Sequence, residues 1–268
     1  MTEPDSNEQA GEAELITEID GGVAILTMNR PERRNALSST LIKSLLTSLI
    51  DLDANKDIGA MVLTGADPAF CAGLDLKELG TAGNSLARGV VNAPGHHGPW
   101  PPLSTVVVGA VNGPAITGGL EIALACDFLV ASERAVFADT HARLGLQPTW
   151  GLTVRLPDAV GVRRAREMSA TANFVDATTA LRWGLVNHLV PHDELVGHAV
   201  ALARSICEGD HAAIARMMQT YTEGALAPGS AAWSAEWEAS QAWQATGLDS
   251  GKVAERRSQV IARGRSQL

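Results

Sequence analysis

The spacing of apolar residues changes several times along the 268-residue chain. Between positions 37 and 50, leucine and isoleucine recur every three or four residues, which is the spacing of one buried helix face. The residues of this stripe are Leu37, Leu41, Ile42, Leu45, Leu46, Leu49 and Ile50. The stripe predicts a helix over Ser38–Asp53, with Ser38 or Ser39 as its N-cap residue.

Short apolar runs on either side of this helix predict β-strands. The runs are Val23–Met28, Ala60–Thr64, Thr105–Val111 and Asp127–Ala131. Thr105–Val111 is rich in β-branched residues and has no polar residue after its first position. It therefore predicts a strand buried on both faces, as in a parallel sheet. Strands that alternate with helices predict an α/β fold.

The two ends of the chain differ from this alternating core. Residues 1–14 are polar and acidic, which predicts a disordered leader. After residue 192 the apolar spacing is helical, over Glu194–Ser205 and His211–Glu223, and three tryptophans predict a further packing face (Trp233, Trp237 and Trp243). We therefore expect a leader over 1–14, a core over 15–195 and a helical C-terminal region over 196–268.

Composition and charge narrow the classes of function. The net charge of −9 argues against nucleic-acid binding, which needs a basic surface. No apolar run reaches the roughly 18 residues of a membrane span, and the acidic N-terminus lacks the pattern of a signal peptide. We expect a soluble, cytoplasmic protein.

Metal and disulfide sites are not expected. Three cysteines without a C-x-x-C pair argue against a disulfide framework and against zinc. Residues 81–103, which we interpret as a mobile loop over a site, contain the pair His96-His97. No carboxylate or cysteine supports these histidines as metal ligands.

Two glycine-containing segments carry the candidate chemistry. Gly109–Asp127, GAVNGPAITGGLEIALACD, runs through small apolar residues to the pair Gly118-Gly119, and Glu121 follows within one helical turn. Phe70–Leu79 reads FCAGLDLKEL. Each segment can present a backbone N–H at a turn into a helix, and two such groups aimed at one point form an oxyanion hole.

These segments resemble the crotonase family, also called the enoyl-CoA hydratase/isomerase family. The resemblance extends to Asn29-Arg30-Pro31, Asn35-Ala36-Leu37, Asn112-Gly113-Pro114-Ala115 and Ala180–Asn187. It implies a spiral of β-β-α units with a helical C-terminal trimerisation region, and a homotrimer or dimer of trimers. It also implies an acyl-CoA substrate. Coenzyme A is then part of the substrate, and no other cofactor is expected.

The resemblance assigns roles to individual residues. The backbone N–H groups of Leu74 and Gly118 correspond to the oxyanion donors, and Glu121 to a catalytic glutamate. The residues that correspond to substrate or coenzyme A contacts are Arg34, Ala36, Ala72, Gly73, Asp75, Leu76 and Gly119. Structural alternatives exist: a tight packing turn for the glycine pair, and stabilisation of the helix dipole for Glu121.

One position departs from the family pattern. Family hydratases carry a second glutamate after the next strand, whereas Phe137–His141, FADTH, places His141 there. Histidine can act as an acid or a base, and Asp139 would orient it if the two side chains are within hydrogen-bond reach. A polar pocket-lining residue without a proton-transfer role is the alternative for His141.

We therefore expect a lyase of the enoyl-CoA hydratase type, which adds water to a 2-enoyl-CoA through a stabilised enolate in lipid degradation. Because His141 replaces the second glutamate, isomerisation, thioester hydrolysis and decarboxylation stay open as alternatives. A non-catalytic acyl-CoA binding protein is the alternative from another class.

Overall fold

The structure, a computed structural model, describes residues 13–75, 78, 98–144, 148 and 150–226. The strands in these ranges are β1 (Leu15–Asp20), β2 (Val23–Met28), β3 (Ala60–Gly65), β4 (Val106–Val111), β5 (Pro114–Ile116), β6 (Phe128–Ser132), β7 (Val136–Ala138), β8 (Val175–Asp176) and β9 (His188–Val190). The helices are α1 (Ser39–Ala54), α2 (Gly118–Ala125), α3 (His141–Leu144), α4 (Leu152–Val160), α5 (Val162–Thr171), α6 (Ala177–Trp183), α7 (Leu195–Cys207) and α8 (His211–Leu226).

The strands form two sheets. A six-stranded sheet has the order β1-β2-β3-β4-β6-β9, and a three-stranded sheet has the order β5-β7-β8. In the large sheet only β1 runs antiparallel to its neighbour. Every residue of β3 and β4 is buried, which confirms the prediction of a two-sided buried strand over most of Thr105–Val111.

The α/β prediction is confirmed, with small shifts in the bounds. Ser38 caps α1, because its side-chain oxygen accepts a hydrogen bond from the Leu41 N–H at 3.0 Å. The strand predicted from Asp127 begins instead at Phe128. The Asp127 side chain accepts a hydrogen bond from the Val107 N–H at 2.7 Å. Asp127 therefore lies just before β6 and is bonded to the neighbouring strand β4.

Four residues of the predicted stripe are buried on α1, namely Leu41, Ile42, Leu45 and Leu49, and Leu52 joins the same buried face. Ile50 is exposed. The helix therefore covers the β1-β2 end of the large sheet, which it contacts. Because α1 packs on the sheet in this way, the Arg30–Leu37 turn that precedes the helix is also held in place.

The chain divides into two compact units, Met1–His211 and Ala212–Leu268. The first contains both sheets. The predicted boundary at 195/196 remains a prediction. Glu14, which the sequence assigned to the leader, accepts a hydrogen bond from the Asn29 N–H at 2.7 Å. Residues 1–12 of the leader and the three tryptophans lie outside the described residues, as does most of the 81–103 loop.

No helix within the described ranges is both long enough and apolar enough to cross a membrane.

Candidate active site

The two glycine-containing segments lie side by side. A parallel bridge joins Cys71 to Ala115 in β5, with hydrogen bonds from Cys71 N–H to the Pro114 carbonyl (3.0 Å) and from Ile116 N–H to the Cys71 carbonyl (2.9 Å). These contacts place Leu74 beside the start of α2. The local strand pairing therefore aligns the two candidate oxyanion donors.

The N–H groups of Leu74 and Gly118 are not used by the local backbone pairings of the described residues around them. The bridge between Leu37 and Leu74 uses the N–H groups of Leu37 and Asp75, so the Leu74 N–H points away from it. Gly118 is the first residue of α2, where an N–H has no intrahelical partner. A Cβ on Gly118 would lie 3.7 Å from the Leu74 nitrogen. This arrangement suits the predicted oxyanion hole.

Thr117 adopts a strained conformation just before Gly118. Its φ is 55° and its ψ is −112°, an uncommon region for a β-branched residue, at a cost of roughly 1–3 kcal/mol. Its N–H donates to the Ala138 carbonyl at 2.9 Å, and its hydroxyl is hydrogen-bonded to that of Thr140. These bonds hold the sharp turn that aims the Gly118 N–H.

Gly119 has a different environment from Gly118. A Cβ on Gly119 would lie 2.1 Å from the Cys71 carbonyl oxygen, whereas the nearest atom to a Cβ on Gly118 is Leu37 Cδ1 at 3.4 Å. Gly119 therefore permits close packing of α2 on the Cys71 strand. Its predicted contact with substrate remains a prediction.

Glu121 is almost completely buried, with a relative exposure of 3%. Its Oε1 accepts a hydrogen bond from the Trp150 N–H at 2.7 Å. The other oxygen, Oε2, lies 3.5 Å from His141 Nε2. One oxygen is thus fixed by the backbone and the other faces the histidine.

Asp139 reaches His141 twice with one oxygen. Oδ1 of Asp139 lies 2.7 Å from His141 Nδ1 and accepts the His141 N–H at 3.1 Å. The condition placed on Asp139 as an orienting group, hydrogen-bond reach, is therefore met. Both side chains are buried. The structure thus brings together Glu121, His141 and Asp139.

The two carboxylates favour a charged histidine. Burial on its own lowers the pKa of His141, but the hydrogen bond to Asp139, the 3.5 Å contact with Glu121 and the charges of both outweigh burial and raise the pKa to about 9. For Asp139, burial raises the pKa, but hydrogen bonds from His141 and Ser169 and the nearby imidazolium lower it below its ordinary value. A pKa of about 9 favours the imidazolium form of His141 at neutral pH, with the ring between the side chains of Asp139 and Glu121.

We expect the free energy of unfolding to decrease as the pH rises from 7 to 10. The pKa of His141 is about 9 in the folded protein and near its ordinary 6.5 in the unfolded chain. Its stabilising contribution is therefore complete below about 6.5 and is lost as the pH passes about 9, at about 1.4 kcal/mol per pKa unit. Urea unfolding at several pH values measures this effect, with His141→Gln as the control. The assignment fails if the variant keeps the same slope.

Several of the residues predicted on the coenzyme A side are joined to one another or to near neighbours by hydrogen bonds and ion pairs. Arg34 is exposed, and its carbonyl accepts the Ala72 N–H at 3.0 Å. Gly73 has a φ of 92° and its carbonyl accepts the Leu37 N–H. Asp75 is ion-paired with Arg30 at 3.1 Å. Leu76 lies outside the described residues.

Three residues at the site were not assigned a role from the sequence. Arg30 donates to the Ala36 carbonyl and pairs with Asp75, which ties two predicted contact residues together. The Trp150 N–H holds Glu121. Arg30 lies in the Asn29-Arg30-Pro31 motif, so its position carried a signal in the sequence. The charge of Arg155 also acts on Glu121, and its guanidinium donates to the Trp150 carbonyl at 3.4 Å.

Cys71, in the predicted oxyanion segment, does not have the environment of a reactive thiol. Cys71 is buried, and burial raises the pKa of its thiol to about 12, so the nucleophilic thiolate is not populated at neutral pH. Within the part of the chain that the structure describes, no group of three or more His, Cys, Asp or Glu side chains could hold a metal ion. His96 and His97 lie outside it.

Comparisons with known proteins agree with the geometry. The family described as enoyl-CoA hydratase/isomerase matches residues 18–257. The chain belongs to this family. A probable peroxisomal enoyl-CoA hydratase 1 of Arabidopsis thaliana is 37% identical over 207 residues, which is 76% of each chain. A short-chain-enoyl-CoA hydratase of Clostridium acetobutylicum is 34% identical over 222 residues, covering 78% of this chain and 81% of the relative.

Solved structures of the family share the fold. The crystal structure of an enoyl-CoA hydratase from Mycobacterium avium is 45% identical, with a TM-score of 0.72, and the match covers 87% of this chain and 98% of that one. The crystal structure of a probable enoyl-CoA hydratase/isomerase from Mycobacterium abscessus is 29% identical, with a TM-score of 0.79 and coverage of 93% and 96%. The predicted crotonase fold is confirmed.

Proposed function

We propose that this protein is an enoyl-CoA hydratase, which adds water across the double bond of a 2-enoyl-CoA thioester in lipid degradation. The observation that carries the proposal is the 3.5 Å distance between Glu121 Oε2 and His141 Nε2. The same chain places the backbone nitrogen of Leu74 close to Gly118, as an oxyanion hole requires. The coenzyme A moiety belongs to the substrate, and the reaction needs no other cofactor.

The thioester carbonyl binds to the two backbone N–H groups. Addition of water at the β-carbon places negative charge on the carbonyl oxygen, as an enolate. The N–H groups of Leu74 and Gly118 stabilise that charge without reorganising, which for one donor is worth roughly 3–4 kcal/mol of barrier height. The N-terminus of α2 adds a partial positive charge at the same point.

Water binds between Glu121 and His141. The 3.5 Å separation of Oε2 and Nε2 is too long for a strong direct hydrogen bond. A water oxygen can lie about 2.8 Å from each atom and bridge them. Because the Trp150 N–H fixes Oε1, Oε2 is the oxygen that points to this water.

In the proposed reaction Glu121 is the base and His141 is the acid, and each transfers one proton. Glu121 takes a proton from the water as its oxygen bonds to the β-carbon. The imidazolium of His141 gives its Nε2 proton to the α-carbon of the enolate. Glu121 and neutral His141 then exchange the proton across their 3.5 Å gap, which restores the starting charges.

The test is crotonyl-CoA hydration, followed by loss of the absorbance of the conjugated enoyl double bond, with variants of His141. We expect a measurable rate in the parent, loss of most of it in His141→Ala, and a parent-level or higher rate in His141→Glu, which restores a second carboxylate. A positioned acid contributes about 10²–10⁴-fold, which sets the expected loss in the alanine variant. A parent that only binds the thioester, shown by titration, contradicts the proposal.

Isomerisation is the second candidate, because a cationic acid and a carboxylate base facing one another can also move a proton along an acyl chain. The product separates the two reactions. Hydration gives a 3-hydroxyacyl-CoA, and isomerisation gives a shifted double bond of unchanged mass. Chromatographic separation of the isomers, with mass spectrometry of each product, after incubation with 2-enoyl-CoA and with 3-enoyl-CoA decides between them.

We also propose a homotrimer or dimer of trimers located in the cytoplasm. The oligomer rests on the family resemblance of the sequence, and the cytoplasmic location rests on the lack of an apolar run of membrane-spanning length in the sequence. Light scattering measures the first. Because relatives carry the names peroxisomal and mitochondrial, microscopy of the tagged protein in its own cell tests the second.

A further inference from the structure

Asp139 is held more firmly than a pocket-lining residue requires. One oxygen, Oδ1, binds both the backbone N–H and the ring Nδ1 of His141, at 3.1 and 2.7 Å. Ser169 on α5 makes a further hydrogen bond to this carboxylate. The ring of His141 is thereby fixed with Nδ1 toward Asp139 and Nε2 toward Glu121.

We propose that Asp139 is a positioning residue, which holds the ring of His141 with a proton on Nε2 and so makes His141 the proton donor of the reaction. This role rests on the proposed function for the reaction itself, although the ring orientation and charge do not depend on it. Two oppositely placed carboxylates make the imidazolium the stable form of the ring. A neutral ring with its one proton on Nδ1 would have no proton to give at Nε2.

The charged groups around His141 come from several elements. Asp139 lies just before α3, and Glu121 projects from α2. Arg155 on α4 acts on Glu121. From α5 the polar contact is Ser169, which is uncharged and reaches Asp139. Arg143, on the same short helix as His141, donates instead to the Thr171 carbonyl at 2.9 Å. The two carboxylates therefore dominate the charge that His141 meets.

The Asp139→Asn variant removes the negative charge of the side chain but keeps its shape, so it tests the effect of the charge alone. The amide oxygen can accept both hydrogen bonds that Oδ1 accepts, and the Ser169 hydroxyl can reverse its role toward the new NH2 group. The ring keeps its place but loses one of its two negative neighbours. We expect the midpoint of the His141 titration, followed by NMR of the ring, to fall by about 1 unit or more.

The kinetics should follow the titration. The donor form of His141 is lost at alkaline pH, so kcat declines there in the parent. In Asp139→Asn this decline should begin at lower pH, by the same shift as the NMR midpoint, with kcat reduced more than KM is raised. At pH 6, where the ring is still charged, the variant should recover most of the parent rate.

The chain offers a matched control in a second aspartate–histidine pair. Asp67 Oδ2 lies 3.0 Å from His192 Nε2, and Ser132 contacts the other ring nitrogen at 3.1 Å. Asp67→Asn makes the same chemical change away from Glu121. We expect it to leave the His141 midpoint and the alkaline decline of kcat where they are in the parent.

Two results overturn the proposal. One is an Asp139→Asn variant that keeps the parent's His141 midpoint. The other is a shifted midpoint with an unchanged pH profile of kcat, which would remove His141 as the donor. If the parent hydrates no enoyl-CoA, the proposed function fails, and the NMR titration alone decides whether Asp139 holds the charge of His141. Loss of folding in Asp139→Asn, seen by circular dichroism, would also contradict the isosteric fit.

Discussion

Glu121→Gln is expected to reduce kcat for enoyl-CoA hydration by at least ~100-fold, the lower range for a positioned acid or base. The amide cannot take a proton from water, so the reaction loses its base. The amide oxygen can still accept the Trp150 N–H that Oε1 accepts at 2.7 Å, so the fold should be retained. Thermal unfolding and steady-state kinetics on crotonyl-CoA measure both effects.

The control for this variant is Glu133→Gln, an equivalent change at an exposed position in the turn after β6. It should retain the parent's kcat and unfolding temperature. Full activity in Glu121→Gln would remove Glu121 from the reaction. A large fall in its unfolding temperature would instead assign the buried carboxylate to the fold, as the helix-dipole alternative requires.

The second large effect is a contrast between adjacent glycines. Gly119→Ala places a methyl group 2.1 Å from the Cys71 carbonyl oxygen, so backbone must move. We expect a loss of ~3 kcal/mol or more of unfolding free energy, at the upper end for overpacking. Gly118→Ala meets its nearest neighbour at 3.4 Å and should fold with nearly parent stability.

The Gly118→Ala and Gly119→Ala variants should also differ in their activity per folded molecule. The methyl group of Gly118→Ala lies 3.7 Å from the Leu74 nitrogen, beside the space where the thioester oxygen binds. A misplaced carbonyl of about 1 Å can cost on the order of 100-fold in rate, so we expect a loss of this size in kcat/KM. Urea unfolding and initial rates provide the two measurements. Equal stability of the two variants would show that the Cys71 contact does not constrain the fold.

The local elements were predictable because their signals are local. The leucine stripe of α1 and the β-branched run of β4 each report burial through spacing alone. β1 was not predicted, since five of its six residues are exposed and its strand conformation comes from backbone pairing with β2. An exposed edge strand leaves no apolar run in the sequence.

The sequence by itself determined the family, the α/β class, the glycine pair and the candidate catalytic glutamate, Glu121. These depend on residue types at fixed short spacing. The tertiary structure decided the rest of the site. Glu121 meets Trp150 across 29 positions and Arg30 meets Asp75 across 45. The separate roles of Gly118 and Gly119 depend on which chain lies against each. Such contacts form only when distant segments fold back together, and residue spacing contains no record of that geometry.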